Sequence, residues 1–257
     1  MNIVTCRKTN RLELNMSSHF LLVDKIISTN SFPLGELFER KGRIYTFLNP
    51  VSYLEAVKHL QLFEDFDGIF ADGSILVAAI QCLYGKTVTR RSFDMTSLAP
   101  VLFDYAEKEG KSIYIVASKQ EEVDKAVKIF TTRWPKLRIL GYRNGYFSSE
   151  REVEDEIRTI KEQKPDFVIV GMGVLMQETF LLKVKCAGVE CIGFTCGGFI
   201  HQTAHDEIDY YPKWIDNLNL RFLYRIYKEK HTRKRYLQAA LVFPVRIIYE
   251  RFWKRRS

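Results

Sequence analysis

The sequence has no Cys-x-x-C pair, no internal repeat, no low-complexity linker and no run approaching ~18 uninterrupted apolar residues. Each absence excludes something. Five cysteines (Cys6, Cys82, Cys186, Cys191 and Cys196), an odd number without metal-ligand spacing, argue against a disulfide framework and a cysteine zinc site. They fit a reducing compartment. Without a long apolar run nothing spans a membrane, and the opening residues lack the apolar stretch of a signal peptide. The expectation is a cytoplasmic protein.

What is present is a chain of 257 residues, 46% hydrophobic and 27% charged, enough for one large domain or two small ones with a sizeable core. The charge is unevenly placed. Residues 213–257 hold 13 Lys and Arg against 3 Asp and Glu, a net of +10; the whole chain is +8, so residues 1–212 carry −2. A basic tail points to an anionic partner: a membrane surface, a pyrophosphate or nucleic acid.

The organising stretch is Pro165 to Glu178. Phe167 to Val170 is an apolar, β-branched-rich run of strand length between helix-like segments, which reads as a strand buried on both faces. Gly171 and Gly173 interrupt it, and Gln177 and Glu178 stand where a helix begins. At such a strand end in an open α/β sheet, glycines let the backbone approach a ligand. They also suit a plain turn.

The same alternation runs through the chain. Residues 1–18 read as an irregular lead, and Phe20 to Ile27 as a strand or amphipathic segment. Strands are expected at Arg43–Leu48, Gly68–Ala71, Ser112–Ala117, Leu137–Gly141 and Glu190–Phe194. Helices are expected at Val51–Leu62, at Ser74–Tyr84 with Gly85 as its stop, from Asp94 or Thr96 to Glu109, and at about Gln177–Ala187. Ser118 with Glu121, and Ser149 with Glu152, read as capping boxes for two more. The implied fold is α/β and Rossmann-like over residues 19–212, a mostly parallel sheet with helices on both faces. Residues 213–257 form a basic, amphipathic helical appendage. Its apolar stripe runs Leu237, Leu241, Val245, Ile248 and Phe252, with a kink expected at Pro244.

Several residues invite a chemical reading. Asp72 follows a buried strand and precedes a glycine and a helix; it can serve as a general base or as the helix cap. Asn49 and Asp94 can contact a ligand or shape a turn. Arg90 and Arg91 can meet a phosphate or form a solvated pair. Gly197 and Gly198 end the last strand as a close-approach loop or a turn. His201 and His205 are spaced i, i+4, which suits zinc, but H-E-x-x-H is absent and no third ligand is evident. They read better as polar groups beside a cleft.

In this order the pieces resemble the WecG/TagA/CpsF family of bacterial glycosyltransferases. They are Asn49 at a strand end, Asp72-Gly73, Ser92-Phe93-Asp94-Met95, Gly145-Tyr146-Phe147, Val170 to Glu178, Gly197-Gly198, Pro212-Lys213-Trp214 and Leu220 to Arg225. The resemblance covers roughly Ile44 to Phe252. It implies an inverting transfer of an N-acetylaminosugar, of the N-acetylmannosamine type or a relative, from a UDP donor. The acceptor is a polyprenyl-pyrophosphate-linked sugar at the cytoplasmic membrane face. Asp72 is the implied base, and no metal or other cofactor is called for. Arg221 and Arg225, one turn apart, are candidates to clamp pyrophosphate, with Arg233 and Arg235 as secondary ones. The chain departs from the family pattern at Phe47, where Thr is frequent, and at Leu175-Met176, where Pro-Lys is usual. It departs again at Ile200-His201, where many members carry Asp.

Two rivals belong to other classes: a non-catalytic nucleotide-sugar-binding or regulatory α/β protein, and a nucleic-acid-binding module. The tail's regular apolar stripe argues against the second, because nucleic-acid binding does not need it. Homo-oligomerisation is left open.

Overall fold

Six parallel strands form one sheet in the order β2-β1-β6-β5-β3-β4 in a computed structural model that describes residues 21–29, 34–206 and 233–252. The strands are β1 (Ile44–Leu48), β2 (Gly68–Ala71), β3 (Ser112–Ala117), β4 (Arg138–Arg143), β5 (Phe167–Gly171) and β6 (Ile192–Thr195). β5 is buried along its whole length, as its β-branched run requires, and β4 is an edge.

Side chains alternate across the sheet, so each strand feeds two cores. One core takes Ile44, Leu48, Val116, Val168 and Val170; the other takes Tyr45, Ile115, Phe167, Ile169 and Phe194. The first is covered by α3 (Pro50–Ala56), α4 (Leu60–Glu64), α5 (Ser74–Tyr84), α8 (Glu150–Gln163) and α9 (Met176–Cys186). The second is covered by α6 (Leu98–Lys108), α7 (Gln120–Arg133) and α10 (Phe199–Asp206). Two short helical turns, α1 (Leu22–Lys25) and α2 (Leu34–Leu37), lie ahead of β1. The chain therefore leaves β1 toward one face and its neighbour β6 toward the other. A crevice opens between them at the carboxyl ends of the strands.

Local chemistry explains most element ends. α5 stops at Gly85, whose φ of 64° is left-handed and whose N–H reaches the Gln81 carbonyl. The Val51–Leu62 helix is instead two helices joined by a 3₁₀ turn at Val57–His59. Of the segment Phe20–Ile27, the described residues 21–27 supply α1 and an isolated bridge from Ile26 to Ile69. The helix expected from Asp94 or Thr96 begins later, at Leu98. Asp94 binds the hydroxyls of Ser92 (2.7 Å) and Thr96 (2.6 Å) and the Thr96 N–H (2.9 Å), which closes a turn first. The capping box placed on Ser118 and Glu121 is shifted by one: Lys119 is the N-cap, and Glu122 accepts its N–H. The second box is half formed. Ser149 accepts from Glu152 N–H, but the Glu152 carboxylate turns to the Ser148 N–H.

Residues 233–252 form α11 (Arg233–Phe252), which runs through Pro244 and packs on α3 and α5. It adds Phe243 and Ile247 to the first core. Its buried Glu250 accepts from Tyr53 Oη (2.6 Å) and Arg246 Nε (2.8 Å), and Arg251 Nε donates to the Leu83 carbonyl (2.6 Å). The lead at 1–18, the 212/213 boundary, Arg221 and Arg225 lie outside the described residues. Among the cysteines, Cys82, Cys191 and Cys196 are free.

Candidate active site

A cavity of about 990 Å³ occupies the crevice at the carboxyl ends of β1, β2, β5 and β6. That is at the upper end of the range for small-molecule sites. Of the residues singled out in the described part of the sequence, Asn49, Asp72, Arg90, Asp94, Gly171, Gly173, Gln177, Gly197, Gly198 and His201 all line it. Arg91 does not. Its N–H binds the Ala71 carbonyl, and burial lowers its guanidinium pKa from the usual value. α11 closes one side with Arg235, Ala239 and Phe243; Arg233 is not among the lining residues.

Asp72 sits directly after β2, and its N–H binds the Leu48 carbonyl at 2.8 Å. The N-cap position of α5 belongs to Gly73, at φ 104°, and not to Asp72. Asn49 does cap. Its Oδ1 accepts from the N–H groups of Val51 and Ser52, each at 3.0 Å, which leaves only Nδ2 for a ligand.

The two glycines after β5 do different jobs. A Cβ on Gly171 would come within 2.7 Å of both Cys196 Sγ and the Gly197 carbonyl, so this glycine lets the β5 and β6 ends pack closely. Gly173 has φ 84° and open space where a Cβ would stand. It is the position that leaves room toward a ligand.

Below the turn lies a buried polar network. Glu178 is fully buried and accepts from Thr46 Oγ1 (2.9 Å), Gln177 Nε2 (2.8 Å) and Leu175 N–H (2.6 Å). Thr46 and Thr195 share a hydrogen bond of 2.8 Å. Gln177 Oε1 accepts the Gly197 N–H at 3.1 Å. Burial pushes the Glu178 carboxyl above its usual range, against the opposing hydrogen bonds from Gln177 and Thr46. The Gln-Glu pair was legible as a motif. That Glu178 supports the loop from below was not, because its partner Thr46 sits 132 residues away on β1.

Phe47, the departure at β1, lines the cavity and stacks on Phe70 at 5.1 Å, with Phe93 edge-on at 5.9 Å. The cleft floor on this side is aromatic. Across the cleft, His201 Nδ1 and His205 Nε2 lie 2.8 Å and 3.2 Å from one oxygen of Glu122, a residue that drew no attention in the sequence. Burial would raise the Glu122 carboxyl, but the Ser118 hydroxyl, His201, the Lys119 N–H and His205 outweigh it and bring it down to about 2.

A parallel α/β sheet with a ligand-sized crevice at its switch point, glycine turns at two strand ends and a carboxylate at a third defines a nucleotide-binding type of enzyme architecture. The chain matches the glycosyl transferase WecG/TagA/CpsF family over residues 33–257 and belongs to it. It is a glycosyltransferase. It is 35% identical, over 91% of its length and 98% of the relative, to the UDP-Gal:alpha-D-GlcNAc-diphosphoundecaprenol beta-1,4-galactosyltransferase of Shigella boydii. Two N-acetylglucosaminyldiphosphoundecaprenol N-acetyl-beta-D-mannosaminyltransferases are more distant. The Bacillus spizizenii protein is 25% identical over 74% of this chain and 73% of its own length. The Bacillus subtilis protein is 23% identical over 73% and 72%.

Proposed function

We propose that this protein transfers a sugar, with inversion, from a UDP donor to a polyprenyl-diphosphate-linked N-acetylglucosamine in cell-surface polysaccharide synthesis. The observation that carries the reading is Asp72, set at the end of β2 on the same cavity as the glycine turns of β5 and β6. In this mechanism the Asp72 carboxylate takes the proton of an acceptor hydroxyl. The hydroxyl oxygen attacks the anomeric carbon from the face opposite the nucleotide, and the bond to the diphosphate oxygen breaks, with its electron pair leaving on UDP. Arg90 and Arg235, both on the cavity wall, supply positive charge for the departing diphosphate. Arg221 and Arg225 are proposed for the same task.

The donor sugar is the finer question. The 35% identical relative matches along nearly its whole length and is named for UDP-galactose, so galactose is the first donor to test, ahead of N-acetylmannosamine.

The lipid acceptor places the reaction at a membrane face, and α11 fits that setting. No helix among the described residues is long and apolar enough to cross a membrane. The apolar stripe of α11 nevertheless faces out: Leu237, Leu241, Val245, Ile248 and Phe252 are exposed, while Ala239, Phe243 and Ile247 dock the helix on the core. An exposed apolar stripe among arginines and lysines seats a helix on an anionic leaflet.

The test is an assay of the purified protein with UDP-galactose, UDP-N-acetylglucosamine and UDP-N-acetylmannosamine on a synthetic N-acetylglucosamine-diphospho-lipid. A β-linked disaccharide lipid is expected from one donor. No transfer from any of them, with donor binding retained, would favour the non-catalytic reading.

A further inference from the structure

We propose that Glu122, His201 and His205 form a binding site for a divalent transition-metal ion, zinc by preference, that clamps α7 to α10 at the rim of the cleft. The three side chains converge from two elements, and Glu122 is 79 residues from His201. His201 and His205 stand one turn apart on α10, with ring centroids 4.5 Å apart. Their ligating nitrogens and a Glu122 oxygen all fall within 4.8 Å of one another. An ion bound at ~2.0–2.2 Å from each requires donor atoms this close, with small rotations of exposed rings to close the set.

The carboxylate is held in place for the task. One Glu122 oxygen is occupied by the Ser118 hydroxyl and the Lys119 N–H, which directs the other at the two imidazoles. Such outer contacts orient ligands in known metal sites. The helices are also fixed relative to each other. Phe199 of α10 stacks on Phe130 of α7 at 5.7 Å, and Ile200 and Thr203 are buried beside them. The imidazoles are about half exposed, so an ion reaches them from solvent.

The donor set selects the ion. Two imidazole nitrogens with one carboxylate oxygen suit zinc and its neighbours, whereas magnesium and calcium prefer oxygen. Three protein ligands leave a position for water. The site stands on the wall of the cavity, which Glu122 and His201 line and His205 does not. Its effect falls on the Gly197-Gly198 turn, which leads straight into α10 and lines the cavity. Fixing α10 fixes that turn.

The experiment titrates the full-length protein, freed of metal by a chelator, with cobalt(II) and then zinc(II). One cobalt per chain is expected, with visible d–d absorption, no thiolate-to-metal charge-transfer band, and displacement by zinc. The melting temperature should rise with zinc. His205→Ala and Glu122→Gln should each abolish the cobalt band and the zinc-dependent rise. Far-UV circular dichroism checks that both variants fold. If Glu122→Gln does not fold, His205→Ala, at an exposed position outside the cavity lining, decides alone. Absence of cobalt absorption in the unmodified protein, a thiolate band, or a band that persists in His205→Ala would overturn the proposal.

Discussion

The amide of Gly197 donates to Oε1 of Gln177 at 3.1 Å, so the first turn of α9 holds the loop that ends β6. Gln177 Nε2 in turn rests on Glu178, and Glu178 on Thr46 of β1. Three strand ends are thereby locked into one rim. Glu178→Ala should unlock it. The change leaves Thr46, Gln177 and the Leu175 N–H without their acceptor, and each buried donor left unsatisfied costs about 1–3 kcal/mol. The expected outcome is a clear fall in the urea midpoint and weaker donor binding. Glu178→Gln should keep more of both. Equal loss in the two variants would mean that side-chain shape and hydrogen bonding are not what Glu178 supplies.

Asp72→Asn should fold like the unmodified protein, because Gly73 and not Asp72 holds the N-cap position of α5 and asparagine keeps the shape of the side chain. Under the proposed mechanism it should keep donor affinity and lose ~10²–10⁴ in turnover. Steady-state rates and donor titrations on the same preparation test this. Turnover within a few-fold of the original would remove Asp72 from the base role.

The two faces of α11 can be separated. Leu241→Glu alters a side chain that is 77% exposed, so the melting temperature should hold while affinity for anionic vesicles falls. Phe243→Ala removes a buried ring set edge-on to Tyr53 at 5.6 Å. Loss of a buried Phe costs about 3–5 kcal/mol, and here it should loosen the helix, read as faster hydrogen exchange across residues 233–252. Unchanged vesicle binding in Leu241→Glu would end the membrane role of the stripe.

Acid should destabilise the fold partly through Asp67. Burial raises its carboxyl, but hydrogen bonds from Lys185, Arg43 and the Ile44 N–H prevail and hold it below the usual carboxylate value. A depressed folded-state pKa contributes stability that is fully present above the unfolded value and is lost as pH falls through the folded one. Urea midpoints should therefore drop on acidification below the ordinary carboxylate range. Asp67→Asn should start lower at neutral pH and show a shallower acid limb. An unchanged limb in that variant would assign acid sensitivity elsewhere.

Gly173→Ala places a Cβ in open space but at φ 84°, where an L side chain is strained. Gly171→Ala meets Cys196 Sγ and the Gly197 carbonyl at 2.7 Å. Gly171→Ala should therefore cost more stability than Gly173→Ala, whose main effect should be on donor binding. Thermal melts and donor titrations compare them; the reverse order would contradict the packing role of Gly171.

The succession of strands and helices is legible in the sequence, because backbone periodicity and caps act over a few residues. β5, Gly85 and α5 stand where their residues place them. The sequence also carried the family motifs and the separation of charge. It placed helix starts less well: Asp94 reads as a helix cap until its oxygens are seen closing a turn on Ser92 and Thr96. Meetings across distance carry no such local signal and come from the fold. The strand order brings Asn49 and Gln177 to either side of β6, on one cavity. It lays Glu122 against His201 and His205, and Tyr53 against Glu250, 197 residues on. It also turns the stripe of α11 outward and buries Phe243 and Glu250 instead. A helix with apolar residues on two faces has no local signal for which face docks. That choice is made by the groove between α3 and α5, which accepts Phe243 and satisfies Glu250 with Tyr53 and Arg246.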